Sequence, residues 1–258
     1  MISNYKTKKR EHQIRHFDLI EKVSKGIFLF LLTFCSTMSI QAQDTFTSVK
    51  SGNYSDPATW GTTELPTAAD DVVVSTGNTI TLDGDFTANN VIIDGKIEAS
   101  TSSFEYTVKG DLVLSTSGLF IGNYYVDYGN YGFYKGMKLT VSGSILNDGR
   151  IDLSLGETND GNGVLKLNGT LLQTISGTGR FGGVITATDN SNTRSVINQL
   201  EIDNTSTATP NIVWEFNNIR IKSILTLTNA RVNLFSNKMT IGNYDGATTN
   251  VSTGSGFL

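Results

Sequence analysis

The sequence predicts an all-β chain: a right-handed parallel β-helix, or a similar β-solenoid, with an N-terminal cap. Two observations carry this. After residue 44 no stretch of helical length shows an apolar stripe at 3.6-residue spacing, whereas short runs alternating at period 2 recur between Gly, Asn, Asp and Ser, as in "DVVVS", "TITLDG", "NVIIDGKIEAS" and "KMTIGN". The runs also resemble one another at unequal intervals, which is how stacked units behave when each keeps its strands and insertions collect in its loops. The alternative that shares this strand spacing is a β-sandwich of hairpins, with "NDGR" and "IDGK" as tight turns.

Residues 1–43 read as an export signal. Lys6, Lys8, Lys9, Arg10, Arg15, Lys22 and Lys25 precede the apolar run "GIFLFLLTFCSTMSI" and then "QAQ". That run is about 15 residues, short for a bilayer span and suited to a signal-peptide core. Cleavage is expected after Ala42 or Gln43, ahead of an uncleaved signal anchor. A lipid anchor at Cys35 is disfavoured by the bulky Phe34 before it. His12, His16 and Cys35 are the only residues of their kinds and all precede the expected cut, so the mature chain has no histidine or cysteine. Ser-His-Asp and Cys-His catalysis, thiolate or imidazole metal sites and disulfides are thereby excluded. The remainder holds 13 basic and 21 acidic residues, a net charge of −8, so nucleic acid is not an expected partner. No membrane span is expected after cleavage, and the expected location is the extracellular medium or the outer cell surface.

Residues 44–100 carry near their start, from Ser51 to Pro66, "SGNYSDPATWGTTELP", which holds one of two tryptophans and two of three prolines. The first unit of a stack presents an open edge and an apolar end that need covering. Pro57 and Pro66 cannot continue a central ladder, and Trp60 offers a broad apolar surface with one N–H donor, so the segment reads as a structural cap. The other reading of Trp60 is an exposed platform for a sugar ring.

Gly52, Asn53, Tyr54, Asp56, Pro57, Thr59 and Trp60, then Pro66, Asp70, Asp71, Val72 to Val74, Gly77, Ile80, Leu82, Asp83 and "VIIDGKIEAS", resemble the start of a G8-type domain. The likeness is to the version near the N-terminus of large exported Bacteroidetes surface proteins, cargo of a type IX-like secretion route, and covers about Val49 to Ala99. It implies a glycine-rich β structure joined to a β-helical extracellular protein, and polysaccharide or surface association. It supplies no catalytic residues.

Residues 101–258 read as further units, the pattern stopping at "STGSGFL" as in a truncated array. "YTVKGDLVLSTSGLFIG", "LTVSGSILNDGRIDLSL" and "LKLNGTLLQTISGTGRF" share one core motif, and "IRIKSILTLTNARVNLF" fits it loosely. Val108, Val141 and Leu167 are equivalent at steps of 33 and 26 residues, and Ile202 to Ile221 gives a step of 19. The longest gap, residues 120–136, contains Tyr124, Tyr125, Tyr128, Tyr131 and Tyr134, and predicts an inserted loop or hairpin. Rigid amphipathic tyrosines on a scaffold loop suit recognition of a glycan or a surface protein. They equally suit a lid over the sheet flank or pairing across a hairpin.

Three motifs remain. "GTGRFG" matches G-x-G-x-x-G but leads into the strand pattern "GVITATDN", so its glycines read as turns and not as a nucleotide loop. Glu157, Asp160 and Asn162 in "GETNDGNG" place oxygen ligands as calcium accepts them, without the EF-hand register; an ordinary polar turn is the simpler reading, and calcium is the one cofactor the sequence admits. Asp148 with Asp152, and Asp83 with Asp85, are the nearest carboxylate pairs for glycoside cleavage, yet all sit beside glycines or in turns. The sequence thus favours a monomeric, exported, noncatalytic surface protein for adhesion or glycan contact. The alternatives are an extracellular polysaccharide lyase or glycoside hydrolase, and a purely structural spacer.

Overall fold

A computed structural model describes residues 43–100, 104–127, 132–153, 163–182, 195–242 and 250–253. The chain divides into Met1–Ala42 and Gln43–Leu258, and all that follows belongs to the second unit. There the chain runs in laps. The first gives β1 (Thr45–Thr47), β2 (Gly52–Asn53) and one helical turn, α1 (Pro57–Trp60). The second gives β3 (Asp71–Val74), β4 (Thr79–Leu82) and β5 (Phe86–Ala88). The third gives β6 (Val91–Ile93), β7 (Lys96–Ala99) and β8 (Glu105–Val108). The fourth gives β9 (Leu112–Leu114) and β10 (Leu119–Ile121), then the hairpin β11 (Asn123–Asp127) and β12 (Gly132–Gly136), then β13 (Lys138–Val141).

Later laps give β14 (Ile145–Asn147), β15 (Arg150–Asp152) and β16 (Val164–Leu167), then β17 (Gln173–Ser176), β18 (Arg180–Phe181) and β19 (Ser195–Asp203). The last strands are β20 (Ile212–Trp214), β21 (Ile219–Thr228), β22 (Val232–Asn233), β23 (Met239–Ile241) and β24 (Asn250–Thr253).

Three sheets collect these strands. The first runs β1-β3-β6-β9-β14-β17-β20-β22, the second β2-β4-β7-β10-β15-β18 and the third β5-β8-β13-β16-β19-β21-β23, with β24 also on β21. Every pairing within them is parallel; among the described residues only β11 and β12 pair antiparallel. The fold is therefore nearly all-β with parallel sheets, as the alternation predicts, and the hairpin-built sandwich does not describe it. "IDGK" and "NDGR" do not close hairpins: Asp94–Gly95 joins β6 to β7, and Asp148–Gly149 joins β14 to β15, each time passing from the first sheet to the second.

Period-2 alternation puts one residue of each strand in the same place on every lap. Val72, Val91, Leu112, Ile145, Ile175 and Trp214 form one such row, and Ile80, Ile97, Phe120, Ile151 and Phe181 another, all buried. The third sheet aligns Val108, Val141 and Leu167 as the sequence steps require. The step from Ile202 to Ile221 is wrong. Ile202 pairs with Leu227, and Ile221 with Ile197. β19 and β21 are long strands whose pairing shifts between Ile197 and Gln199, so "IRI" and "ILTLT" are two halves of one strand, and the pattern matched the wrong half.

Polar side chains stitch the laps where the third sheet gives way to the first. Asp71 Oδ1 accepts from Asn89 Nδ2, Asn90 N and Asn90 Nδ2 at 2.9, 3.0 and 2.9 Å. Asn90 Oδ1 accepts from Asp111 N, Asp111 Oδ1 from Ser144 N, and Ser144 Oγ from Thr174 N. Each short polar residue thus satisfies a backbone donor of the next lap, which explains why Asn, Asp and Ser punctuate the strands. At the corner between the first and second sheets the laps approach too closely for a side chain: a Cβ on Gly149 would lie 2.1 Å from the Gly118 carbonyl oxygen.

Candidate functional site

The Trp60 segment is built from its own local rules. Asp56 caps α1 by accepting from Ala58 N at 2.9 Å, Pro57 stands at the first helical position, and Gly61 ends the turn with φ 67°. Trp60 is 3% exposed, donates from Nε1 to the Tyr54 carbonyl at 2.9 Å and meets the Tyr54 ring edge-on at 5.2 Å. Tyr54 in turn packs on Phe86 and Tyr106, at centroid distances of 4.0 and 5.9 Å. Pro66 is also buried. A buried ring cannot serve as a platform for sugar. The third sheet has no strand in the first lap, and the Tyr54–Trp60 pair packs against β5, the first strand of that sheet.

The carboxylates weighed for catalysis are occupied or apart. Asp148 Oδ1 accepts from Thr178 N and Thr178 Oγ1, both at 2.9 Å. Asp83 accepts from Ser55 N and Oγ, and Asp85 from Glu105 N. Asp152 is fully buried and has interactions of its own. All but Asp152 bind groups of a neighbouring lap. Among the described residues no cluster of three or more acidic, histidine or cysteine side chains is placed to hold a metal ion, and no helix is long and apolar enough to cross a membrane. Glu157, Asp160 and Asn162 lie outside the described residues.

The hairpin is where the chain departs from its laps. It leaves the second sheet after Ile121 and rejoins the third at Lys138, its base closed by Met137 N donating to the Gly122 carbonyl at 2.7 Å. The register pairs Tyr124 with Lys135 and Tyr125 with Tyr134. Tyr128 and Tyr131 lie outside the described residues. The described strands β15 and β16, and β18 and β19, stand in the same two sheets, so three successive laps pass from the second sheet to the third between these ends.

The outer face of the second sheet carries residues the sequence reading did not single out. Register stacks Lys96, Leu119, Arg150 and Arg180 in one row, and Glu98, Ile121 and Asp152 in the next. Lys96 pairs with Glu98. The signal for the row was present: the basic residues of "DGK", "DGR" and "TGR" each follow a corner glycine.

No family model matches this chain, and neither a curated protein nor a solved structure does.

Proposed function

We propose that the chain is an exported, noncatalytic cell-surface protein that folds as a right-handed parallel β-helix and contacts glycan at its hairpin corner. The observation that carries this is the contrast between spent carboxylates and an inserted hairpin. Asp71, Asp83, Asp85, Asp111 and Asp148 all accept hydrogen bonds from another lap, as a scaffold needs and a catalytic pair does not. The tyrosine-rich β11–β12 hairpin forms a two-stranded sheet of its own among the described residues, and an insertion carried by a rigid stack suits recognition. Strand order supports the β-helix, since from β3 to β19 successive laps add to the three sheets in turn.

In this reading Trp60, Pro57 and Pro66 form the cap of the first lap, over residues that resemble a G8-type domain. Residues 1–43 direct export and are removed, and the protein acts as a monomer. The test is binding of the purified protein to a glycan array, with and without calcium, beside a variant with Tyr124, Tyr125, Tyr128 and Tyr131 changed to Ala. Glycan binding lost in a folded variant is the expected result. Retention of an intact fold with no glycan bound under any condition leaves a structural spacer, and hydrolysis or elimination of a glycan establishes an enzyme.

A further inference from the structure

On the outer face of the second sheet Arg150 and Arg180 stand side by side, and the nearest acid on that face, Asp152 two residues beyond Arg150, is fully buried with interactions of its own. Arg150 on β15 and Arg180 on β18 are register partners on parallel strands, so their backbones stand about 4.8 Å apart. Their strand neighbours Ile151 and Phe181 are 1% and 2% exposed and fill the core, which turns both arginines outward. Among the described residues, ion pairs join Lys50 to Asp56, Lys96 to Glu98, Lys138 to Glu105 and Lys166 to Glu201, and none reaches either guanidinium. Arg150 Nε is buried without a hydrogen-bond partner. Like charges opposite one another on neighbouring strands destabilise a sheet, so the free protein carries a local cost that a bound anion would relieve.

We infer that Arg150 and Arg180 form a subsite for the carboxylate of a uronate-bearing polysaccharide, a refinement that rests on the glycan-contact reading. The guanidinium fork matches a carboxylate in two parallel hydrogen bonds. Leu119, the register partner of Arg150 on the other side, offers an aliphatic surface for the apolar face of the same sugar ring, and Ile121 extends it toward the hairpin. The charge is sparse. Lys96, one strand beyond Leu119, is already matched by Glu98, and the chain after residue 43 is net acidic, so the face suits an occasional carboxylate and not a phosphate track.

The test titrates the purified protein and its R150Q/R180Q variant with polygalacturonate, dextran sulfate, neutral dextran and duplex DNA, reading affinity and melting temperature together. Polygalacturonate is expected to bind the parent, to raise its melting temperature, and to bind the variant about ten- to a hundredfold more weakly. The unliganded variant is expected to melt at or above the parent temperature, which arginines that merely hold the fold would not allow. The single R180Q change gives the same comparison if the double variant does not fold. Unchanged polygalacturonate affinity in the variant overturns the subsite and leaves the glycan reading standing. A preference for dextran sulfate, neutral dextran or DNA overturns the uronate assignment, and absence of binding to any glycan here and on the array overturns both.

Discussion

Trp60 shows how one residue can be prominent in a sequence for structural reasons. Its ring is enclosed by Tyr54, and its N–H is spent on the Tyr54 carbonyl. Trp60→Ala should cost about 3–5 kcal/mol of unfolding free energy in a denaturant titration. Trp60→Phe keeps most of the apolar surface and strands one acceptor, so it should cost about 1–3 kcal/mol. An exposed sugar platform would leave stability unchanged in both. The ladder residues make smaller, repeated contributions: Asn90→Ala removes the acceptor of Asp111 N and the Nδ2 donor to Asp71 while keeping the backbone donor, and about 1 kcal/mol of loss is expected at this half-buried site. Which Asn and Asp face the next lap was not legible in the sequence, because turn formation and lap-to-lap bonding select the same residues.

The strands themselves were legible wherever a lap kept its period. "YTVKG", "LTVSG" and "LKLNG" align with β8, β13 and β16 because each has one apolar alternation followed by a polar corner. Register failed at β19 and β21, where two long strands of one sheet shift their pairing between Ile197 and Gln199 and no turn residue marks the change. The hairpin was visible as a gap with tyrosines, whereas its antiparallel pairing follows from the closure of its base. A Cβ on Gly136 would lie 2.2 Å from the Leu153 carbonyl oxygen and 2.4 Å from the Gly163 backbone, so Gly136→Val should dislodge the hairpin stem. Replacing residues 124–135 by a short Gly-Ser linker should have the opposite effect on the scaffold. The three sheets keep all their pairings, so the melting temperature should stay within a few degrees of the parent while glycan binding disappears.

At the scale of the molecule, the fold has an acid limit and an alkaline limit, both set near its first laps. Burial pushes the Asp70 carboxyl up, but hydrogen bonds from Thr67 Oγ1 and from the backbone of Asp44 and Thr67 outweigh it and hold it below the usual carboxylate value. Asp71 is lowered in the same way, burial being outweighed by donors from Asn90, Asn89 and Gln43. A carboxyl lowered by folding adds stability that is present above its unfolded value, about pH 4, and is lost as pH falls through the folded one. Burial is the largest cause at the two core phenols, opposed at Tyr54 by Tyr106 and aided there by the charge of Asp70, and aided at Tyr106 by Tyr54; both are held above the ordinary tyrosine value. A phenol raised by folding adds stability that is present below its unfolded value, about pH 10, and is lost as pH rises beyond it. Denaturation midpoints should therefore hold steady between about pH 5 and 9 and fall on both sides. Asp71→Asn should lower the plateau and flatten the acid limb, since the titrating acceptor is gone, and Tyr106→Phe should flatten the alkaline limb alone. A variant that moved both limbs together would show that the two ends of the pH range unfold the protein through net charge and not through these groups.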